Sequence, residues 1–161
     1  MDLARIQQAL CDAGIDGWLF YDFRGSDPIA ASILGLDTAA HTTRRWFYFV
    51  PASGEPTRIV HSIERSSLDT VPGRKLVYLP WQQLHEHLRS TLSGSRRVAM
   101  QYSAMNAIPY VARVDAGTVE LVRSCGVEVV SSADLVQQFE AVWSDAQFQT
   151  HLIQVNTPDR V

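Results

Sequence analysis

The feature that most constrains the fold is the run Gly17-Trp-Leu-Phe-Tyr21, which has no polar residue at either alternate position. A strand with one solvated face alternates apolar and polar residues, whereas a strand covered on both faces reads as an unbroken apolar run. Both faces of this segment must therefore be covered. The residues before it supply one cover: Leu3, Ile6, Leu10 and Ala13 recur at helical spacing between Asp2, a capping residue, and Gly14, a helix stop. A helix followed by a buried strand is the signature of an α/β architecture.

The rest of the chain repeats the alternation. After a polar loop over 22–27, Pro28 fits the first helical position with Asp27 as cap, and Ile29, Ala30, Ile33 and Leu34 lead a short helix to Gly35. Arg45 to Val50 is rich in aromatic strand formers and is separated by Pro51-Ala-Ser-Gly-Glu-Pro56 from a second run, Thr57 to His61, so the two predict an antiparallel hairpin. Residues 63–70 read as a short helix ended near Pro72-Gly73. Lys75 to Leu79 reads as a strand, and Trp81, Leu84, Leu88 and Leu92 as the stripe of a helix reaching Gly94. Arg97 to Met100 is a further strand, and 101–114, with Pro109, fits neither period and is expected to be an ordered loop with one helical turn. Asp115 caps a helix carrying Val119, Val122 and Cys125 to Gly126, followed by strand Val127 to Val130 and a helix from Ser131-Ser132 with Leu135, Val136 and Phe139 inward.

Ser144 then opens a last helix as a capping box with Gln147. Its stripe of Phe148, Leu152 and Val155 is followed by a tail, 156–161, too short to cover it, which marks the stripe as a surface for a partner helix or domain. The expectation is a three-layer α/β/α domain with a mixed, about six-stranded sheet over 1–143, with 144–161 beginning a linker helix. βα connections give parallel neighbours and the hairpin an antiparallel pair.

Charge and composition exclude several function classes. A net charge of −3, with the 14 basic residues dispersed, gives no field suited to nucleic acid or an anionic membrane. The two cysteines, Cys11 and Cys125, fit no metal or redox spacing, which favours a reduced, cytoplasmic protein. The sequence shows no basic-then-apolar leader and no apolar run of the roughly 18 residues that span a bilayer, so a mature chain outside the membrane is expected.

Candidate chemistry is sparse. His85-Glu86-His87 is the densest cluster, but on a helix positions i and i+2 point apart, unlike the i, i+4 pair of a zinc-binding helix. His41, His61 and His151 stand alone. Cys11 or Cys125 as a nucleophile beside a histidine is weighed against the ordinary behaviour of cysteine as a small hydrophobe. Trp46, Phe47, Tyr48 and Phe49 read as core or as the lining of a pocket. Asp22, Arg24 and Asp27 read either as a loop reaching towards a substrate or neighbouring subunit, with Arg24 ready for a carboxylate, or as self-capping loop residues. Arg44 and Arg45, at the start of the aromatic strand, carry the same two readings.

Three segments in order resemble one family: Gly17 to Ala30 (GWLFYDFRGSDPIA), Thr43 to Pro51 (TRRWFYFVP) and Tyr102 to Gly117 (YSAMNAIPYVARVDAG). Val129 to Leu135 and Glu140 to Ser144 continue the likeness. They resemble the amino-terminal domain of Xaa-Pro peptidases, the pita-bread metallopeptidases that include creatinase and prolidase. The resemblance implies an accessory domain with a mixed sheet between helices, which packs beside a catalytic domain, helps form a dimer and leans over a catalytic cleft. It also implies that the chemistry belongs to a separate carboxy-terminal domain, where two aspartates, a histidine and two glutamates hold two divalent metals. This sequence has none of those five positions, so no metal or cofactor is expected in it. The partner is expected to be a catalytic domain of that family or a second copy of the chain. Asp22, Arg24, Asp27, Arg44 and Arg45 become candidates for a contact across an interface. A free-standing dimerisation module and a small cysteine-histidine hydrolase are the competing functions.

Overall fold

A computed structural model gives the three-dimensional structure and describes residues 1–38 and 42–140. The helix expected from Ser144, with Phe148, Leu152 and Val155, lies outside the described residues, as do His41 and His151.

Helix α1 spans Leu3–Ala13. The Asp2 carboxylate accepts the Arg5 backbone N–H at its start, and Gly14, in the left-handed region at φ 63°, closes it by donating to the Leu10 and Cys11 carbonyls. Strand β1 (Gly17–Asp22) is buried along its whole length, as its unbroken apolar run requires. Helix α2 (Pro28–Leu34) starts at the Asp27 cap with proline in its first turn. Strands β2 (Trp46–Pro51), β3 (Thr57–His61) and β4 (Arg74–Tyr78) follow, then helix α3 (Trp81–Leu92), strand β5 (Arg97–Met100), helix α4 (Ala116–Arg123), strand β6 (Glu128–Ser131) and helix α5 (Ala133–Glu140).

The strands form one sheet in the order β4-β3-β2-β1-β5-β6. β2 is antiparallel to both neighbours, in register from Gly17 opposite Pro51 to Asp22 opposite Trp46, while every other pair is parallel. The expected mixed sheet is therefore present, and β1, β3, β4, β5 and β6 all point the same way. Gly17 allows β1 and β2 to close up: a Cβ there would lie 2.3 Å from the Phe49 ring.

Each face of the sheet carries its own core. On one face Trp18 and Phe20 of β1 pack with Tyr48 of β2 against Ile6 and Leu10 of α1, Ile29 and Leu34 of α2, and Leu135 of α5. On the other, Leu19 and Tyr21 pack with Phe47 and Phe49 against Leu84, Leu88 and Leu92 of α3 and Val119 and Val122 of α4. This is the three-layer α/β/α arrangement. Burying each large side chain of this kind contributes roughly 1.5–3 kcal/mol before the entropy of ordering it is subtracted. Trp46, Phe47, Tyr48 and Phe49 are all buried, which makes Phe47, Tyr48 and Phe49 core, while Trp46 is both packed in the core and on the wall of a cavity.

Four expectations need correction. Residues 63–70 are not an α-helix: one 3₁₀ turn, Ser62–Glu64, passes into successive turns. The Glu64 carbonyl accepts both the backbone N–H and the hydroxyl of Ser67, so the serine competes for the acceptor a helix needs further along. The segment 101–114 holds two 3₁₀ turns, Ala104–Asn106 and Pro109–Val111, rather than one. Leu79 falls outside β4, and Trp81, placed by periodicity with Leu84, Leu88 and Leu92, is 59% exposed while those leucines are buried. Trp81 is the first residue of α3, just past the end of β4, where its ring meets His85 of the same helix and stays outside the buried core.

Candidate functional site

Because five strands share one direction, their carboxyl ends lie along a single edge of the sheet, and β2 begins there. Asp22 closes β1 on this edge, directly opposite Trp46. Its side chain is buried and turned back on its own loop: Oδ2 accepts the Gly25 N–H at 2.9 Å and the Thr42 hydroxyl at 3.3 Å, and Oδ1 accepts the Asp27 N–H at 2.9 Å. Asp27 caps α2 through Oδ1, which accepts the Ala30 N–H at 3.0 Å, whereas the buried Oδ2 has no hydrogen-bond partner. Burial, reinforced by the neighbouring Asp22 carboxylate, pushes the Asp27 carboxyl up to about 6 against the pull of the Ala30 N–H.

Of the two readings of this loop, self-capping thus accounts for both aspartates. Arg24 sits in the left-handed region at φ 60°, exposed, with its guanidinium 6.0 Å from the centre of the exposed Phe23 ring. Arg44 and Arg45 immediately precede β2, whose first residue, Trp46, is paired with Asp22. Backbone groups of this pair do the structural work: the Arg44 N–H donates to Glu64 at 3.1 Å and the Arg45 carbonyl accepts the Tyr78 hydroxyl at 2.7 Å. Burial would raise Glu64, but the Thr43 hydroxyl and the N–H groups of Thr43 and Arg44 outweigh it and hold the carboxyl below its ordinary value. A cavity of about 530 Å³ lies between this loop and the 62–70 turns, with Asp22, Asp27, Thr42, Trp46 and Glu64 on its wall.

The same edge holds residues that sequence reasoning did not single out. Eight large apolar side chains are exposed among the described residues, and five of them follow strands at this edge: Phe23 after β1, Ile63 after β3, Leu79 and Trp81 after β4, and Met105 after β5, while Ile108 and Tyr110 turn onto the α2/α5 flank, where the Tyr110 hydroxyl donates to Glu140. Met105 is 98% exposed and, with Asn106, adopts positive φ. The loop presenting it is pinned at its base, where the Gln101 carbonyl accepts the N–H groups of Arg113 and Val114 and the Ser103 hydroxyl accepts that of Ile108. An apolar residue in a segment without period was the available signal, but it does not separate a loop that folds inward from one that faces water.

The other candidate groups are structural. His85 stacks edge-on against Trp81, and His87 Nε2 lies 3.2 Å from the Val77 carbonyl. Among the described residues no group of three or more His, Cys, Asp or Glu is placed to hold a metal ion. The Cys11 thiol faces the Ala52 carbonyl and the Cys125 thiol the Leu121 carbonyl, and burial pushes the Cys125 thiol up, away from the reactive thiolate. No helix among the described residues is long and apolar enough to cross a membrane.

No protein-family profile and no curated protein matches the sequence. Solved structures do match its fold. The creatinase/prolidase N-terminal domain of an Xaa-Pro dipeptidase from Streptococcus pyogenes superposes with a TM-score of 0.61 at 15% identity, covering 84% of this chain and 96% of that one. The chain has the creatinase/prolidase N-terminal domain fold. The prolidase of Thermococcus sibiricus matches at TM-score 0.68 and 11% identity over 94% of this chain but only 40% of its own. A dipeptidase from Mycobacterium ulcerans matches at 0.61 and 21% identity over 91% and 38% respectively. The creatinase/prolidase-type domain described here therefore spans about two fifths of those longer peptidases and nearly all of the separately solved N-terminal domain.

Proposed function

We propose that this chain is an accessory domain acting beside an Xaa-Pro peptidase catalytic domain, assembling with it and covering part of its cleft, and that it performs no hydrolysis by itself. The observation that carries the reading is the near-complete match to a separately solved N-terminal domain of an Xaa-Pro dipeptidase, against two-fifths coverage of whole peptidases. On this reading the two divalent metals belong to the catalytic domain, the chain itself needs no cofactor, and the partner is that domain or a second copy of the chain. Arg24, Arg44 and Arg45 are offered towards the partner, while Asp22 and Asp27 hold the loop that presents Arg24. Phe148, Leu152 and Val155 would extend the contact, and a cytoplasmic setting fits two thiols that form no disulfide.

Incubating the purified chain with manganese or cobalt and an Xaa-proline dipeptide tests the catalytic half of the proposal. No turnover is expected, and turnover that co-purifies with the chain through successive columns overturns it. Adding the catalytic domain of an Xaa-Pro dipeptidase, expressed without its own N-terminal domain, tests the assembly half: a change in KM or in sedimentation is expected. A second reading, a free-standing dimerisation module, draws on the apolar edge described above, and sedimentation over a range of concentrations separates it from the first.

A further inference from the structure

The edge at the carboxyl ends of the parallel strands combines two surfaces that usually occur apart. Its large exposed side chains include Trp81, Phe23 and Met105, residue types enriched at the centres of protein interfaces, where Arg is enriched as well. They are spread over the distance from β4 to β5, four strand spacings or about 19 Å at about 4.8 Å each, the breadth of a single interface rather than of a small-molecule pocket.

Charge indicates what fits there. Arg24, Arg44, Arg45 and Arg65 lie on this edge, and none forms an ion pair among the described residues, where the ion pairs are Arg58 and Lys75 with Asp69, and Arg97 with Glu128. The carboxylates nearby are already engaged. Asp22 and Asp27 accept loop and helix N–H groups, Glu64 accepts from Thr43 and Arg44, and Asp115 caps α4 through the N–H and hydroxyl of Thr118. These four carboxylates are turned onto backbone and hydroxyl donors, whereas Arg24, Arg44 and Arg65 are exposed beside the apolar side chains, so guanidinium groups are the charges this edge offers outward.

We propose that this edge docks an acidic protein surface, one with an apolar centre ringed by aspartate and glutamate side chains. The inference deepens the accessory-domain reading and rests on it for the partner being a protein domain. A second copy offering the same edge would set guanidinium against guanidinium, an arrangement that costs affinity. Nucleic acid is disfavoured by the chain's net charge of −3.

The test uses the full isotope-labelled chain and a synthetic peptide of Leu-Glu-Glu-Leu repeats, compared with the same peptide carrying lysine for glutamate. At low ionic strength the acidic peptide should shift the Trp81 indole N–H and the Met105 methyl signal saturably, and bind roughly tenfold more tightly than its basic counterpart. Arg24→Glu with Arg44→Glu, and separately Trp81→Ser, should each weaken it by roughly tenfold, while Arg96→Glu, at the opposite end of the sheet, leaves it unchanged. Equal binding of the two peptides, or shifts confined to the opposite end, overturns the proposal. So does tighter binding of a single-stranded oligonucleotide, or concentration-dependent shifts of the same residues without peptide, which would assign the edge to nucleic acid or to a second copy. If the chain binds a peptidase catalytic domain while the acidic peptide fails, the edge inference falls and the accessory-domain reading stands; the opposite pair of results reverses the conclusion.

Discussion

At the scale of residues, the Asp22–Asp27 loop is held by two carboxylates with different duties. Asp22 satisfies two loop N–H groups and the Thr42 hydroxyl from a buried position, so Asp22→Ala leaves buried donors without partners. A loss of roughly 2–4 kcal/mol is expected in urea unfolding, larger than for any exposed residue of the loop. Asp27 behaves differently, because half of its carboxylate is buried without a donor. Its carboxyl is raised from 3.8 to about 6 in the folded protein, so the folded state holds its proton to higher pH than the unfolded state does. The stability this gives is present below pH 4 and is lost as pH rises through 6, a change of roughly 2–3 kcal/mol. Asp27→Asn keeps a capping oxygen for Ala30 and cannot ionise. The stability of this variant relative to wild type should therefore climb between pH 4 and about 6.5 and stay level above, which denaturant titrations across that range will show.

At the scale of elements, local signals and tertiary demands agree wherever a cap or a glycine fixes a boundary. Asp2, Asp27 and Asp115 cap the helices predicted for them, and Gly14 and Gly35 end two of those helices. Gly73 shows how strict such positions are. It turns the chain into β4 at φ 117°, and a Cβ there would lie 2.4 Å from the Pro56 carbonyl oxygen, a backbone atom that cannot swing aside. Gly73→Ala is expected to cost about 2–4 kcal/mol by thermal unfolding, combining backbone strain with the clash. Where no such residue stands, as over 63–70, the periodicity of a few apolar positions predicted a helix, and serine hydroxyls competing for backbone acceptors gave turns instead.

At the scale of the whole molecule, the two faces of the sheet are consumed by the helix layers, and what remains for interaction is the edge. Leu79 and Trp81 lie outside the buried core at 64% and 59% exposure, with Trp81 meeting only His85 of its own helix among the ring contacts of the described residues. Leu79→Ser with Trp81→Ser should therefore leave the free energy of unfolding within about 0.5 kcal/mol of wild type. The same double variant should weaken capture by a peptidase catalytic domain, so measuring stability and binding on one sample separates folding from recognition.

How much the sequence determined depends on the range over which each signal acts. The unbroken run at Gly17–Tyr21, the aromatic strand beside it and the caps of the helices are read within a few residues, since burial on two faces and the satisfaction of the first helical N–H groups are local requirements. From them the α/β class, the six strands and the antiparallel hairpin follow without coordinates. The order β4-β3-β2-β1-β5-β6 and the shared direction of five strands depend on pairings between residues as far apart in sequence as Gly17 and Val98, for which no single window carries a signal. The candidate edge belongs to that second class. Trp81 and Leu84 look alike in a helical pattern, and only the place where the sheet ends leaves one in water and buries the other.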